Sequence, residues 1–298
     1  MGGKLFSVSL GNKFKPFLYL FPAAFFLLIF TYYPIFRAIY ISLFHWSTDY
    51  PKKVFAGLQN YFDILREPLF WKVVKNTFLY SISTIFVSMS LGLLLAIQVN
   101  KGIKLGGFFK VSLFYPTMIP MAAAGLIWLW IYAPSYGLLD NFFRQVGLPN
   151  MGLLLNANTA LWCVVVTAIW KHVGYYMILF LAGLQNIPDA LIDVATIEGA
   201  GNWRKFRSVT FPLISSYTFF IFIINIVNSL QSVDLIYIMT QGKPAHASNL
   251  IVYYIYQQAF RYWNMGMGST LTTMLALFLL CCVVLIFSTI GRKVYYEV

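Results

Sequence analysis

Long uncharged stretches separated by short polar ones set the pattern of this chain. Charge-free runs cover residues 17–36, 76–100, 111–139, 145–170, 173–188, 208–233 and 269–291. A helix needs about 20 apolar residues to cross the ~30 Å hydrocarbon layer of a bilayer. The run at 173–188 is too short to span alone, and only Lys171 and His172 separate it from the run before, so the two combine into one helix over 158–185. The pattern therefore predicts an all-α integral membrane protein with six transmembrane helices, near 17–44, 72–99, 108–133, 158–185, 209–240 and 269–290, in a single domain over 1–298.

The connections differ in character. The stretch 44–70 is the longest external loop and holds Asp49, Pro51, Asp63, Glu67 and Pro68, with a short interfacial helix expected over 58–65. The turn at 101–107 makes spans two and three antiparallel neighbours. Its Gly102 and Gly106 have the spacing of a helix dimerisation motif but stand in a lysine-containing loop, where that motif has no apolar helix to act on. Span three carries Pro116, Pro120 and Pro134. Proline in a membrane helix frees backbone carbonyls that a neighbour or a cavity must satisfy, so this span reads as kinked, either lining a pathway or simply packing.

Composition sharpens the picture. Of the 298 residues 60% are hydrophobic and only 10% charged, against about 25% charged in soluble domains. The N-terminal Lys4, Lys13 and Lys15 precede an apolar stretch that is too long for a signal peptide and contains Pro22 and Pro34; it is expected to be a retained first helix. Cys163, Cys281 and Cys282 fall inside spans, as small apolar residues. The net charge of +12 does not imply nucleic acid, because the basic residues flank apolar spans. With both termini cytoplasmic, eleven lie inside (Lys4, Lys13, Lys15, Lys101, Lys104, Lys110, Arg204, Lys205, Arg207, Arg292, Lys293) and six outside (Lys52, Lys53, Arg66, Arg144, Lys243, Arg261). Adding Arg37, Lys72 and Lys75 at outer helix ends narrows the bias to eleven against nine.

After span four the chain reads GLQNIPDALIDVATIEGAGNWRKFRSVTFPLI over 183–214. Pro188 suits a first helical turn, Leu191, Ile192, Ala195 and Ile197 form a short apolar face, and Gly199 and Gly201 allow a sharp break. A second amphipathic piece over 203–209 brings Arg204, Lys205 and Arg207 before Pro212 opens the next span. Periodicity alone describes an interfacial helix-turn-helix joining two spans.

The spacing adds more. The segment resembles the EAA loop of ABC importer permeases, E-A-A-x3-G-x9-I-x-L-P, whose fixed positions fall on Asp193, Val194, Ala195, Gly199, Val209, Phe211 and Pro212. Ala195, Gly199 and Pro212 are identical, and the leading Glu is the shorter Asp193. LQNIP before the loop and EGA within it are similar to the sugar-permease branch, the maltose and glycerol-phosphate type, as are 128–132, 170–184 and 234–260. The resemblance implies a cytoplasmic coupling loop over 186–208 that docks on a partner ATPase, with Asp193 facing it, Gly199 permitting the turn, and Leu191, Ala195, Ile197 and Trp203 filling its groove. It further implies a second permease subunit, two ATPase subunits, an extracytoplasmic solute-binding protein, and the bacterial cytoplasmic (inner) membrane. The chain has no G-x-x-x-x-G-K-[ST] phosphate loop, so ATP and Mg²⁺ belong to the partners, and no cofactor and no nucleic acid are expected for this subunit.

Polar side chains deep in a span usually face a cavity or a partner. Lys171, His172, Tyr175 and Tyr176 lie within span four, and Asn225, Asn228, Gln231, Ser232 and Asp234 along span five, with Asn225, Asn228 and Ser232 on one face. Lys171 either pairs with Asp234 or snorkels, and the amides either glue helices or meet cargo. The resemblance tilts both clusters toward function, making Lys171, His172, Tyr175, Asn228, Gln231, Ser232 and Asp234 candidate pathway residues for a carbohydrate, with Lys171 hinting at an anionic one. The competing reading is an ion-coupled secondary transporter with a Lys171–Asp234 relay. An enzyme is not indicated, because His45, His172 and His246 are scattered and no nucleophile–base set emerges. Replacing Gly199 with Asp or Arg is expected to leave membrane insertion intact and to uncouple transport from ATP hydrolysis, as read by uptake and ATPase assays on one preparation. Import at the normal rate contradicts the role given to Gly199.

Overall fold

The computed structural model describes residues 10–49, 51–102, 106–149 and 152–289, without the side chains of 10–16 and 18. Lys4, Lys13, Lys15, Lys104, Arg292 and Lys293, counted above for orientation, thus lie outside the described side chains. In chain order the elements begin with α1 (Leu10–Leu27), α2 (Tyr33–Ser42), β1 (Phe44–His45), β2 (Val54–Phe55), α3 (Gln59–Arg66), α4 (Pro68–Asn100), α5 (Gly106–Met118), α6 (Met121–Ile131) and α7 (Leu138–Gln145). They continue with α8 (Ala160–Gln185), α9 (Asp189–Ile197), α10 (Asn202–Lys205), α11 (Phe211–Leu213), α12 (Ser215–Leu230), α13 (Asp234–Met239), α14 (Ile251–Tyr256) and α15 (Met265–Thr289).

Among the described residues five helical stretches are long and apolar enough to cross a membrane, and a sixth arises if α5 and α6 form one span. Those two are bent by 100° at their junction, much more than the kink expected. Pro120 explains the break: it has no N–H for the helical ladder, and it disfavours helical angles at Ile119. Pro120 is extended, with ψ 142°. Pro134 lies beyond α6 and bends no helix. Milder disruption occurs where a π-turn takes up the missing donor two residues before a proline, at Leu28–Tyr32 ahead of Pro34 and at Phe206–Thr210 ahead of Pro212. The segment between α2 and α4 opens with a small antiparallel ribbon, Phe44 opposite Phe55 and His45 opposite Val54, and then forms the expected short helix as α3.

The centre of the bundle is α4 against α8. Ala96, Val99, Tyr176, Met177, Phe180 and Leu184 pack there with Ile214 and Ile221. Lipid tails are as apolar as leucine, so membrane helices associate through close packing at small residues. Gly92 admits α8: a Cβ on it would lie 3.0 Å from Tyr176 Cβ. Gly174 admits α5, because a Cβ there would overlap the Leu113 carbonyl and lie 3.0 Å from Phe114 Cα. Near its N-terminal end, α4 grips the loop before α14. Lys72 Nζ donates to Ala245 O at 2.7 Å and Asn76 Nδ2 to His246 O at 2.9 Å, while Ile251 N donates to Thr77 Oγ1 at 2.9 Å. Tyr254 Oη donates to Glu67 Oε2 at 2.7 Å, and burial first, then this carboxylate, pushes the phenol pKa up.

Gly174→Ala is expected to force α5 off α8 and to destabilise the protein by about 1–3 kcal/mol, seen as a lower melting temperature in detergent. Gly107→Ala, with open space around it, should change it by less than about 0.5 kcal/mol.

Candidate functional site: a mid-bundle cavity and a helical hairpin

Near the midpoints of the long helices, a cavity of about 240 Å³ lies between α4, α6, α8, α12 and α13. Tyr80, Thr84 and Ser88 of α4 line one wall at four-residue spacing, and Ala168, His172 and Tyr176 of α8 line another at the same spacing. Asn225, Asn228 and Ser229 of α12, Gln231 and Ser232 after it, and Asp234 opening α13 complete the polar lining.

The walls are held by hydrogen bonds between helices. Tyr80 Oη donates to Ser232 Oγ at 3.1 Å and Asn225 Nδ2 to Ser88 Oγ at 3.0 Å, while Ser88 Oγ itself donates to Thr84 O. His172 Nδ1 is 2.9 Å from Ala168 O. A carbonyl only accepts, so the proton sits on Nδ1 and Nε2 is left for another partner.

Of the candidates named from sequence, His172, Asn228, Gln231, Ser232 and Asp234 line the cavity. Lys171 and Tyr175 do not. Each precedes a lining residue by one, which turns it about 100° around α8. Tyr175 packs into the α4–α8 core, its ring 5.5 Å from that of Tyr176.

Lys171, 5% exposed, points to the broken span. Its Nζ donates to Thr117 O at 2.7 Å, and Thr117 Oγ1 donates back to Lys171 O at 3.2 Å. The break at Pro120 leaves carbonyls at the C-terminal end of α5 without helical donors, and a cation suits that end. Lys171 is thus a cap for α5. It forms no ion pair with Asp234; among the described residues the ion pair is Arg144–Asp140, at 3.0 Å. Lys171, engaged with this carbonyl, does not supply the hint of an anionic cargo drawn from it. Tyr80, Thr84, Ser88 and Tyr176 were not among the candidates, although the Tyr80–Thr84–Ser88 stripe in an uncharged span is a readable signal.

A second site follows α8. The helix α9 ends in a Schellman motif: Gly199 N donates to Thr196 O at 3.0 Å and Ala200 N to Ala195 O at 2.9 Å, with Gly199 at φ 74°. A Cβ at Gly199 would meet nothing within 4 Å, so the glycine answers to backbone angle rather than space. Lys205 Nζ donates to Thr196 Oγ1 at 3.2 Å, tying α10 to α9, and the Trp203 and Phe206 rings stack at 5.7 Å. Asp193, Val194 and Ile197 form an exposed face, with Ile197 86% and Trp203 71% exposed. Ala195, expected with the groove-filling residues, is instead buried on the opposite side of α9 at 8% exposure, because it lies one residue, about 100°, from Val194. Among the described residues no cluster of His, Cys, Asp and Glu could hold a metal.

Residues 88–292 match the family described as binding-protein-dependent transport system inner membrane component. The chain is 34% identical over 266 residues to the probable ABC transporter permease protein YurN of Bacillus subtilis, covering 88% of this chain and 91% of that one. It is 31% identical over 291 residues to the sn-glycerol-3-phosphate transport system permease protein UgpA of Agrobacterium fabrum, covering 97% and 99%. Its fold is that of a chain in the crystal structure of a bacterial alginate ABC transporter in complex with an alginate pentasaccharide-bound periplasmic protein, with TM-score 0.84, 20% identity, and 97% and 99% coverage.

Lys171→Met should leave the Thr117 carbonyl unpaired inside the bundle and lower stability by about 1–3 kcal/mol. Lys171→Arg should recover part of that loss, and neither change should shift the KM for cargo. A KM increase in Lys171→Met at unchanged melting temperature would show that Lys171 meets cargo after all.

Proposed function

Because the chain belongs to the family of binding-protein-dependent transport system inner membrane components, we propose that it forms one half of the passage of an ATP-driven importer and couples that passage to ATP hydrolysis through α9 and α10. The observation that carries this reading is that α8 serves both sites. His172 sits midway along α8 and faces the cavity. Gln185 ends α8 about 20 Å further on, and α9 begins at Asp189. A push on the hairpin therefore reaches the cavity wall through one continuous helix and its close contacts with α4 and α5, as in rigid-body switching between two states.

In this reading Asp193, Val194, Ile197 and Trp203 meet a cytoplasmic ATPase, and Gly199 fixes the angle between α9 and α10. Ala195 and Lys205 brace the hairpin from within. The hairpin follows the fourth span, so both termini are cytoplasmic. One hairpin per chain engages one ATPase, so a second permease subunit carries the other, and two ATPase subunits hold the ATP and Mg²⁺. An extracytoplasmic binding protein delivers the solute to the opposite face.

The cargo is a carbohydrate-type solute. The lining offers hydroxyls and amides that donate and accept, with Asn228 and Gln231 exposed to the passage. The relative named UgpA is a permease for sn-glycerol-3-phosphate. At about 240 Å³ the cavity is below the ~300–1,000 Å³ of ordinary ligand pockets, which fits one half of a site completed by the second permease. The ion-coupled alternative loses its relay, since Lys171 caps α5 and forms no ion pair with Asp234.

In proteoliposomes holding both permeases and the ATPases, solute-loaded binding protein should raise ATP hydrolysis. Ile197→Asp should reduce that stimulation at least about tenfold with the complex's membrane insertion unchanged. Gradient-driven uptake that persists without the ATPases would overturn the proposal.

A further inference from the structure

Resting on the reading of the cavity as the cargo passage, we infer that this subunit selects by charge: its wall admits uncharged polyhydroxylated carbohydrate and disfavours anions, with Asp234 as the residue that sets the preference. Among the described residues no Lys or Arg lines the cavity, and the lining residue with a formal charge is the Asp234 carboxylate. Among the described residues no cation lies within ion-pair distance of it. Lys171, the nearest cation along α8 to the cavity wall, is spent on Thr117 O. His172, the basic side chain among the described residues of the wall, has its Nδ1 proton engaged by Ala168 O.

The chemistry of such a wall is asymmetric. Asn228 and Gln231 beside Asp234 supply amide donors and acceptors that sugar hydroxyls can match, and the carboxylate accepts from two hydroxyls at once. A phosphate or carboxylate on the cargo meets like charge at the Asp234 carboxylate, which is exposed to the passage together with Asn228 and Gln231. At an effective dielectric constant near 20 and a separation of about 6 Å, that repulsion weakens binding by about tenfold or more.

The test uses the complete complex, both permeases with ATPases, in nanodiscs without binding protein, so that the binding protein's own preference does not enter. At pH 8, where an ordinary imidazole is neutral, saturation-transfer difference NMR would compare a neutral gluco-trisaccharide, the same trisaccharide with one terminal 6-carboxylate, and glycerol phosphate. The neutral probe should bind at least about tenfold more tightly than either anion, and Asp234→Asn should shrink that ratio to within about threefold. Equal or tighter anion binding by the unaltered complex overturns the inference, as does a ratio unchanged in Asp234→Asn. Neutral binding that survives Asn228→Ala and Gln231→Ala together would instead show that the cavity is not the passage, and would overturn the inference through that premise.

Discussion

Inside hydrocarbon every peptide N–H and C=O must find its partner within the protein, and the consequences of that requirement at Pro120 organise this molecule. The proline ends α5 and turns the chain by 100° into α6. Lys171 then reaches from α8 to the stranded Thr117 carbonyl, and Thr117 returns a hydrogen bond to the Lys171 backbone. The two bonds need α5 and α8 almost in backbone contact, which is the approach that Gly174 makes room for. With Lys171 turned toward α5, the next residue round the helix, His172, is turned toward α4 and α12, and Tyr176 follows one turn later. The rotation of α8, and so the content of the cavity wall, is thus tied to one capped helix end.

From the same helix follows the mechanical layout. α8 is pinned to α4 at Gly92 and to α5 at Gly174, and it leads within four residues into α9. The hairpin beyond it is rigid by local means: a Schellman turn at Gly199, the Lys205–Thr196 bond and the Trp203–Phe206 stack. A rigid hairpin on a rigid rod transmits force, whereas a loop with free hinges would absorb it. The apolar side chains Val194, Ile197 and Trp203 on that hairpin are 53%, 86% and 71% exposed among the described residues, and they form the surface proposed to work against a partner.

Much of this was legible in the sequence, because membrane spans are recorded in uncharged runs that need no tertiary information. A helix was expected over 158–185 and α8 runs Ala160–Gln185; the short helix expected over 58–65 is α3, Gln59–Arg66, and the turn after α9 comes at Gly199. What could not be read was rotation. Lys171 and His172 are adjacent in sequence, and only the position of the Thr117 carbonyl decides which of them faces the cavity. Ala195 and Val194 pose the same problem on α9. The depth of the bend at Pro120 was underestimated for a related reason: a proline signals a lost donor, while the angle depends on what caps the loose end.

The central claim is that α9 and α10 face an ATPase on the cytoplasmic side. In a variant with Cys163, Cys281 and Cys282 replaced by alanine, cysteines at Ile197 and Ala195 can be tested for thiol cross-linking to the ATPase subunit in native membranes. The account predicts cross-links from position 197, none from the buried position 195, and protection of position 197 from an impermeant thiol reagent added outside. Labelling of position 197 from the outer face, or its failure to cross-link while ATP-driven uptake continues, would contradict it.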